Sequence, residues 1–197
     1  MRYADLYAYS ESLTGPAVSV KDLATQICAH HGNDVGLVNF WPVELDSDIS
    51  FGHLKYEWDR DSPYEDEFRI ANIRFDKTLN RCWTRFVCCK ELMHVFDNPE
   101  ERADTRDEFF RLMSELESLR MKDDMSAMFL SELEAQWMAV IILCPPRLRN
   151  KYKPLLDNKT MTEYDIALTL KIPEAVIRNT MSDYYDQAMA RLLNNGQ

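Results

Sequence analysis

The apolar positions along the chain change period more than once. Lys21 to His30 follows Ser19, a residue type that caps helix N-termini, and Gly32 supplies a stop, so a first helix is predicted there. Val35 to Trp41 is apolar and β-branched and reads as a strand. Ile49 to Trp58 alternates roughly through Phe51, Leu54, Tyr56 and Trp58 and reads as a second strand. Asp59 to Asp66 is acidic, contains Pro63 and reads as a loop. Phe68 to Phe75 then makes a third strand, with Phe68, Ile70, Ile73 and Phe75 as its apolar positions. Beyond it the period becomes helical. Trp83 to Phe96 carries Phe86, Cys89, Leu92, Met93 and Phe96, and Asp97-Asn98-Pro99 ends it. Arg106 to Leu119 follows the cap Thr105, and Ala127 to Leu143 follows the cap Ser126 and stops at Cys144-Pro145-Pro146. Leu148 to Leu156, Thr162 to Leu170, Glu174 to Asp183 and Tyr184 to Leu193 complete a helical end. Helix, strands, then helices predict an α+β fold, with residues 1–146 as the main domain and 147–197 as a small helical subdomain.

Composition narrows the chemistry. The chain has 197 residues, with 46% hydrophobic and 28% charged, which suits a folded globular protein. Its five glycines are isolated, so no glycine-rich phosphate loop exists and nucleotide-binding readings fall away. Net charge is −10, a poor start for nucleic-acid binding. The segment Arg147 to Gln197, however, holds eight basic and six acidic residues, so any DNA contact belongs there. Five cysteines, an odd number with no CxxC, indicate a reducing compartment rather than a disulfide framework. The first fifteen residues contain Asp5 and Glu11 and no apolar core, and the longest apolar run, Trp137 to Pro146, is short for a membrane span. A soluble, cytoplasmic protein without membrane contact is expected.

One stretch carries a chemical pattern: Lys90-Glu91-Leu92-Met93-His94. Residues 90 and 94 lie four apart and share a helix face. In HExxH zinc sites both histidines bind the metal and the glutamate polarises the attacking water. Here the glutamate and second histidine are present, and a lysine stands for the first histidine. By itself such a pentapeptide equally describes an amphipathic helix with one solvent-facing lysine.

Taken together, the motifs resemble the ImmA/IrrE family of zincin-like metallopeptidases of bacteria and phages, whose outline is "L-N … R-F-T-x-A-H-E-L-G-H" and then "E-A-N-x-F-A-x-x-L-L-M-P". Here Leu79-Asn80, Arg85-Phe86 and Lys90-Glu91-Leu92-x-His94 fall in that order. Glu134-Ala135-Gln136-Trp137-Met138-Ala139 and Leu143-Cys144-Pro145 follow, and Asp165-Ile166-Ala167 with Ile172-Pro173-Glu174-Ala175-Val176 resembles the family's end. The likeness spans residues 17–182. It implies a zincin-like fold with a small three-stranded sheet on the site helix. It also implies a helix-turn-helix-like end, His94 and Glu134 as metal ligands, and Glu91 as the water-activating base.

The lysine alters that expectation. A catalytic zinc takes three protein ligands and an open position, and an ammonium has no lone pair to give. Beside Glu91 and Glu134 the charged form of Lys90 is favoured. Lys90 is therefore expected to form an ion pair with Glu134 or Glu91 where the dication would sit. No cofactor is then expected, with zinc the ion to look for if the site is retained. His30, His31, His53 or Cys89 are the substitute ligands to consider. A di-iron reading fails because only one ExxH occurs.

Three functions follow from this reading. The first is a degenerate, catalytically inactive peptidase domain that acts as a regulatory protein-binding module, a transcriptional regulator being the partner class the resemblance implies. The second is an active metal-dependent endopeptidase that cleaves a repressor-type protein. The third is a DNA-binding regulator, with the helix after Pro173 presenting Arg178, Asn179 and Thr180. Trp41, Trp58, Trp83 and Trp137 are expected in the core or on groove walls.

Overall fold

The computed structural model describes residues 1–30, 34–46, 50–59, 67–98 and 126–194. Two helices lead: α1 (Tyr3–Ser12) and α2 (Val20–Ala29). The strands β1 (Val35–Val43), β2 (Gly52–Asp59) and β3 (Phe68–Asp76) follow. Next come α3 (Arg81–Met93), a 3₁₀ turn at His94–Phe96, α4 (Ala127–Leu143) and α5 (Pro146–Asp157). Three short helices close the described chain: α6 (Glu163–Leu170), α7 (Glu174–Thr180) and α8 (Tyr184–Asn194). The class is α+β, with a three-stranded mixed sheet. Its order is β1-β3-β2, with β3 central, parallel to β1 and antiparallel to β2.

Helix α1 was not anticipated from the sequence. Its buried face is only Tyr3, Leu6 and Ser10, too thin a stripe to register as a period. The other elements fall close to their expected places. The Arg106–Leu119 helix, the Asp59–Asp66 loop beyond Asp59, Gly32 and the Ile49 strand start lie outside the described residues. Local caps explain several boundaries. Ser19 accepts from the Asp22 amide at 3.3 Å, and Asn80 Oδ1 accepts from the Cys82 and Trp83 amides at 3.0 and 3.1 Å. Thr162 and Asp165 form a reciprocal capping box.

Helix α3 packs on the sheet by one face and on α4 by another. Gly52 permits the close approach at the start of β2. A β-carbon there would come within 2.5 Å of Val87 Cγ1 and 3.0 Å of the Arg74 carbonyl. On α4, small residues Ser131, Ala135 and Ala139 form the buried stripe and let the two helices lie close. One hydrophobic core runs from Leu6 and Leu23 through Ile73, Leu92 and Ile142 to Leu170, Ile177 and Tyr185, so residues of 1–146 and 147–197 share it. Tyr185 ties the halves by donating to the Cys144 carbonyl at 2.8 Å.

All five cysteines are free thiols. Among the described residues no single helix is long and apolar enough to cross a membrane. The tryptophans divide, against the expectation that all four sit in the core or on groove walls. Trp41 and Trp58 are 51% and 61% exposed. Trp41 lies on the outer face of an edge strand, where its indole N–H donates to Asn72 Oδ1, and Trp58 stacks with Arg69 near the end of β2.

Candidate functional site

The last turn of α3 brings Lys90 and His94 onto the face that meets α4. Glu91, one residue on, is buried toward the start of β2. Cations at a helix C-terminus also interact favourably with its dipole. Lys90 Nζ lies 3.0 Å from Glu91 Oε1 and 2.5 Å from Glu132 Oε2, so the ammonium is clasped by carboxylates from two helices. The other oxygen of Glu132 stands 3.3 Å from His94 Nε2. That is an ion-pair distance, though the N–H is not aligned well enough for a hydrogen bond. His94 Nδ1 faces Asp97 Oδ2 at 2.7 Å, and the Ser131 hydroxyl donates to the same oxygen at 2.8 Å. Tyr56 donates its hydroxyl to the His94 carbonyl at 3.2 Å.

Two cations and three carboxylates thus form one network, with side-chain exposures of 5–24%. Burial alone would push the Lys90 ammonium toward neutrality, but Glu91 and Glu132 outweigh it and hold its pKa above the ordinary value. Burial opposes charge on His94 as well. Hydrogen bonding to Asp97 and the Glu132 carboxylate overcome it and raise the imidazole to about 10. Burial would raise Glu132, yet Lys90 and His94 together hold it far below the usual carboxylate range. None of these three groups titrates near neutral pH, where a general acid or base is most effective. Nor do Ser131, His94 and Asp97 make a nucleophilic relay. Serine and aspartate meet the same ring nitrogen, whereas a triad places them on opposite ones.

The placement of Glu134 corrects the sequence reading. It does not reach Lys90; its Oε1 pairs with Arg191 on α8 at 2.8 Å. Helical phase is the reason. Met128, Ser131, Ala135 and Ala139 define the buried stripe of α4, and positions 132 and 134 lie to either side of it. Residue 132 falls on the α3 side and residue 134 on the α8 side. The expected Lys90–Glu91 pair is present, and Glu132 supplies the second carboxylate. Asp97, read only as part of a helix stop, and Ser131, not singled out at all, complete the network. The i, i+3 spacing of His94 and Asp97 was the available signal.

None of the described substitute ligands joins the network, although His53 on β2 is near enough to Glu91 to feel its charge. Cys89 is fully buried in the core, and burial pushes its thiol up to about 12. His30 bonds the Gln26 carbonyl through Nδ1 at 2.8 Å, and His31 is outside the described residues. His53 pairs in register with Arg74 on the sheet. Among the described residues, no three His, Cys, Asp or Glu side chains are gathered as a metal-ligand set.

Above Lys90 opens a cleft of 380 Å³. Phe51 and Gly52 of the β2 start, Trp83 and Phe86 of α3, and Val176 and Asn179 of α7 line it. Helix α7, the expected DNA-reading helix, buries one face and leaves Glu174, Ala175, Arg178 and Asn179 exposed on the other. Val176, Ile177 and Thr180 are buried, Asn179 faces the cleft, and Arg178 pairs with Glu163 at 3.4 Å. In comparisons with known proteins the chain matches no family model, no curated protein and no solved structure.

Proposed function

We propose that this chain is a degenerate zincin-like domain of the ImmA/IrrE type, without catalytic metal, that acts in the cytoplasm as a regulatory protein-binding module. One observation carries the reading. The Lys90 ammonium lies between Glu91 and Glu132, and the second oxygen of Glu132 faces His94. A glutamate, a histidine four residues after the key position and a carboxylate from the facing helix are the parts of a zincin centre, and a monovalent cation stands among them. The donor set does not suit zinc. His94 and Glu132 are two ligands, and the third position holds a charged amine without a lone pair. The carboxylates meet their charge requirement through Lys90 and His94, which removes the electrostatic demand for a dication. The cleft above the network, walled by Phe51, Trp83 and Phe86, has the aromatic, concave character that suits a peptide segment of a partner. On α7 Arg178 is paired with Glu163 and Glu174 stands in the first turn, in a chain of net charge −10, which disfavours the DNA-reading alternative.

Metal analysis tests the proposal. Purified chain, dialysed against buffer, is expected to retain no stoichiometric zinc. The single change Lys90→His is expected to create a third ligand and bind one zinc per chain. Zinc retained by the unaltered protein and lost in His94→Ala is the result that overturns it.

A further inference from the structure

A second cavity, of 530 Å³, lies at the opposite end of α3 from the Lys90 network. Its walls are mainly apolar, with Val18, Phe40, Phe75, Leu79 and Cys88 among them. Its polar members are unusual for a chain of net charge −10. Lys21, Arg81, Arg85 and Lys171 line it, and no carboxylate does among the described residues. These cations come from three segments, the start of α2, the first half of α3 and the end of α6, while Phe40 of β1 and Phe75 of β3 supply the sheet side of the cavity.

Arg85 holds the three segments together. Its guanidinium donates to the Val18 carbonyl and, at 2.9 Å each, to the Leu170 and Lys171 carbonyls. Those acceptors satisfy its hydrogen bonds without neutralising its charge. Lys21, Arg81 and Lys171 are exposed at the rim, and none makes an ion pair among the described residues. Val20 and Lys21, whose amides are the first two of α2, also line the cavity. Those amides have no acceptor in their own helix and add partial positive charge. An apolar body of ligand-sized volume with an uncompensated cationic mouth favours one kind of occupant.

We infer that this cavity binds a small amphipathic anion, its apolar chain or ring among Val18, Phe40, Phe75 and Leu79 and its carboxylate or phosphate head at Lys21, Arg81 and the α2 N-terminus. The head anchors at the rim, where water still reaches it, and the body displaces water from the apolar walls. The inference stands apart from the proposed function, since the cavity shares no residue with the Lys90 network.

Calorimetric titration of the full chain with four probes below their micellar concentrations tests it: dodecanoate, dodecyl phosphate, dodecanol and dodecyltrimethylammonium. Saturable one-to-one binding of at least one anion, tighter than the alcohol and much tighter than the cation, is expected. The better anion distinguishes a carboxylate from a phosphate ligand. The variant Lys21→Glu/Arg81→Glu is expected to weaken anion binding by about tenfold, with dodecanol within about twofold. Both positions lie in the first turn of a helix, where glutamate is favoured by the dipole, so the fold is expected to survive. A thermal melt of the variant checks this. As a second handle, methyl resonances of Val18 and Leu79 are expected to shift on titration with the anion. Equal binding of anion and cation, no saturation by any probe, or unchanged anion affinity in the folded variant overturns the inference.

Discussion

Helix α3 carries cations at both ends, and the two ends treat them differently. At the C-terminal end Lys90 and His94 are each met by carboxylates, from Glu91, Glu132 and Asp97. At the N-terminal end Arg85 is met only by backbone carbonyls, and Arg81 stands with Lys21 and Lys171 around a cavity without a lining acid among the described residues. Both arrangements occur within the fourteen residues from Arg81 to His94, in a chain whose overall charge is −10. Net charge therefore says little about either place. A cluster in which every cation already meets a carboxylate binds its own parts together and leaves no unpaired cation for an anionic ligand. An uncompensated one costs stability through self-repulsion, and that cost is relieved when an anion arrives.

Removing the central carboxylate should make the first end resemble the second. Glu132→Ala leaves Lys90 with only Glu91 and His94 with only Asp97, in partly buried positions. The expected loss is about 1–3 kcal/mol of unfolding free energy, below the cost of stranding a buried charge because each cation keeps one carboxylate. Urea unfolding at neutral pH measures it. Adding Lys90→Met to that variant is expected to deepen the loss, because Glu91, only 5% exposed, then loses its ion-pair partner as well. A cost no greater than that of an ordinary surface substitution would show that the two helices are not joined through these charges.

Proton titration reaches the same network without mutation. The imidazole of His94 is held at about 10 against an ordinary 6.5, so the folded state binds its proton more tightly than the unfolded chain. Its contribution is fully present below about pH 6.5 and is lost as pH rises toward about 10. Glu132 works in the other direction. Its depressed pKa gives stability that is present above its ordinary 4.5 and lost on acidification. Stability is thus expected to fall on both sides of a mildly acidic plateau. In His94→Gln the decline between about pH 6.5 and 10 should flatten, which a series of denaturation midpoints would register. An unchanged alkaline limb would place the proton elsewhere.

Much of this was legible in the residues, and what was not has identifiable causes. The three strands and most helices follow from period, cap and breaker signals, since Ser19 and Ser126 accept from the expected amides, whereas Asn80 and Thr162 cap their helices without having been read as caps. The Lys90–Glu91 pair followed from adjacency and charge. Glu132 did not, because a motif compared by letters has no phase. Glu132 and Glu134 are both acidic and two residues apart, and only the buried stripe through Ser131 and Ala135 tells which one meets α3. The cationic cavity was invisible for another reason. Lys21, Arg81 and Lys171 come from three distant segments, and their common mouth exists only once Arg85 has pinned α2 and α6 to α3.

Glu134 is the internal control for these arguments. It has the same chemistry as Glu132 and lies on the same helix, yet its partner Arg191 is 60% exposed and its own side chain is 32% exposed. Such a pair is screened by water and is worth at most about 1 kcal/mol. Glu134→Ala should accordingly shift the denaturation midpoint slightly, and a cycle with Arg191→Ala should show a coupling smaller than that between Glu132 and Lys90. The alkaline limb assigned to His94 should be untouched. Were Glu134→Ala as damaging as Glu132→Ala, the acidity of α4 as a whole would matter rather than the one carboxylate that faces Lys90. The resemblance that singled out position 134 would then have been reporting on that helix more accurately than the packing does.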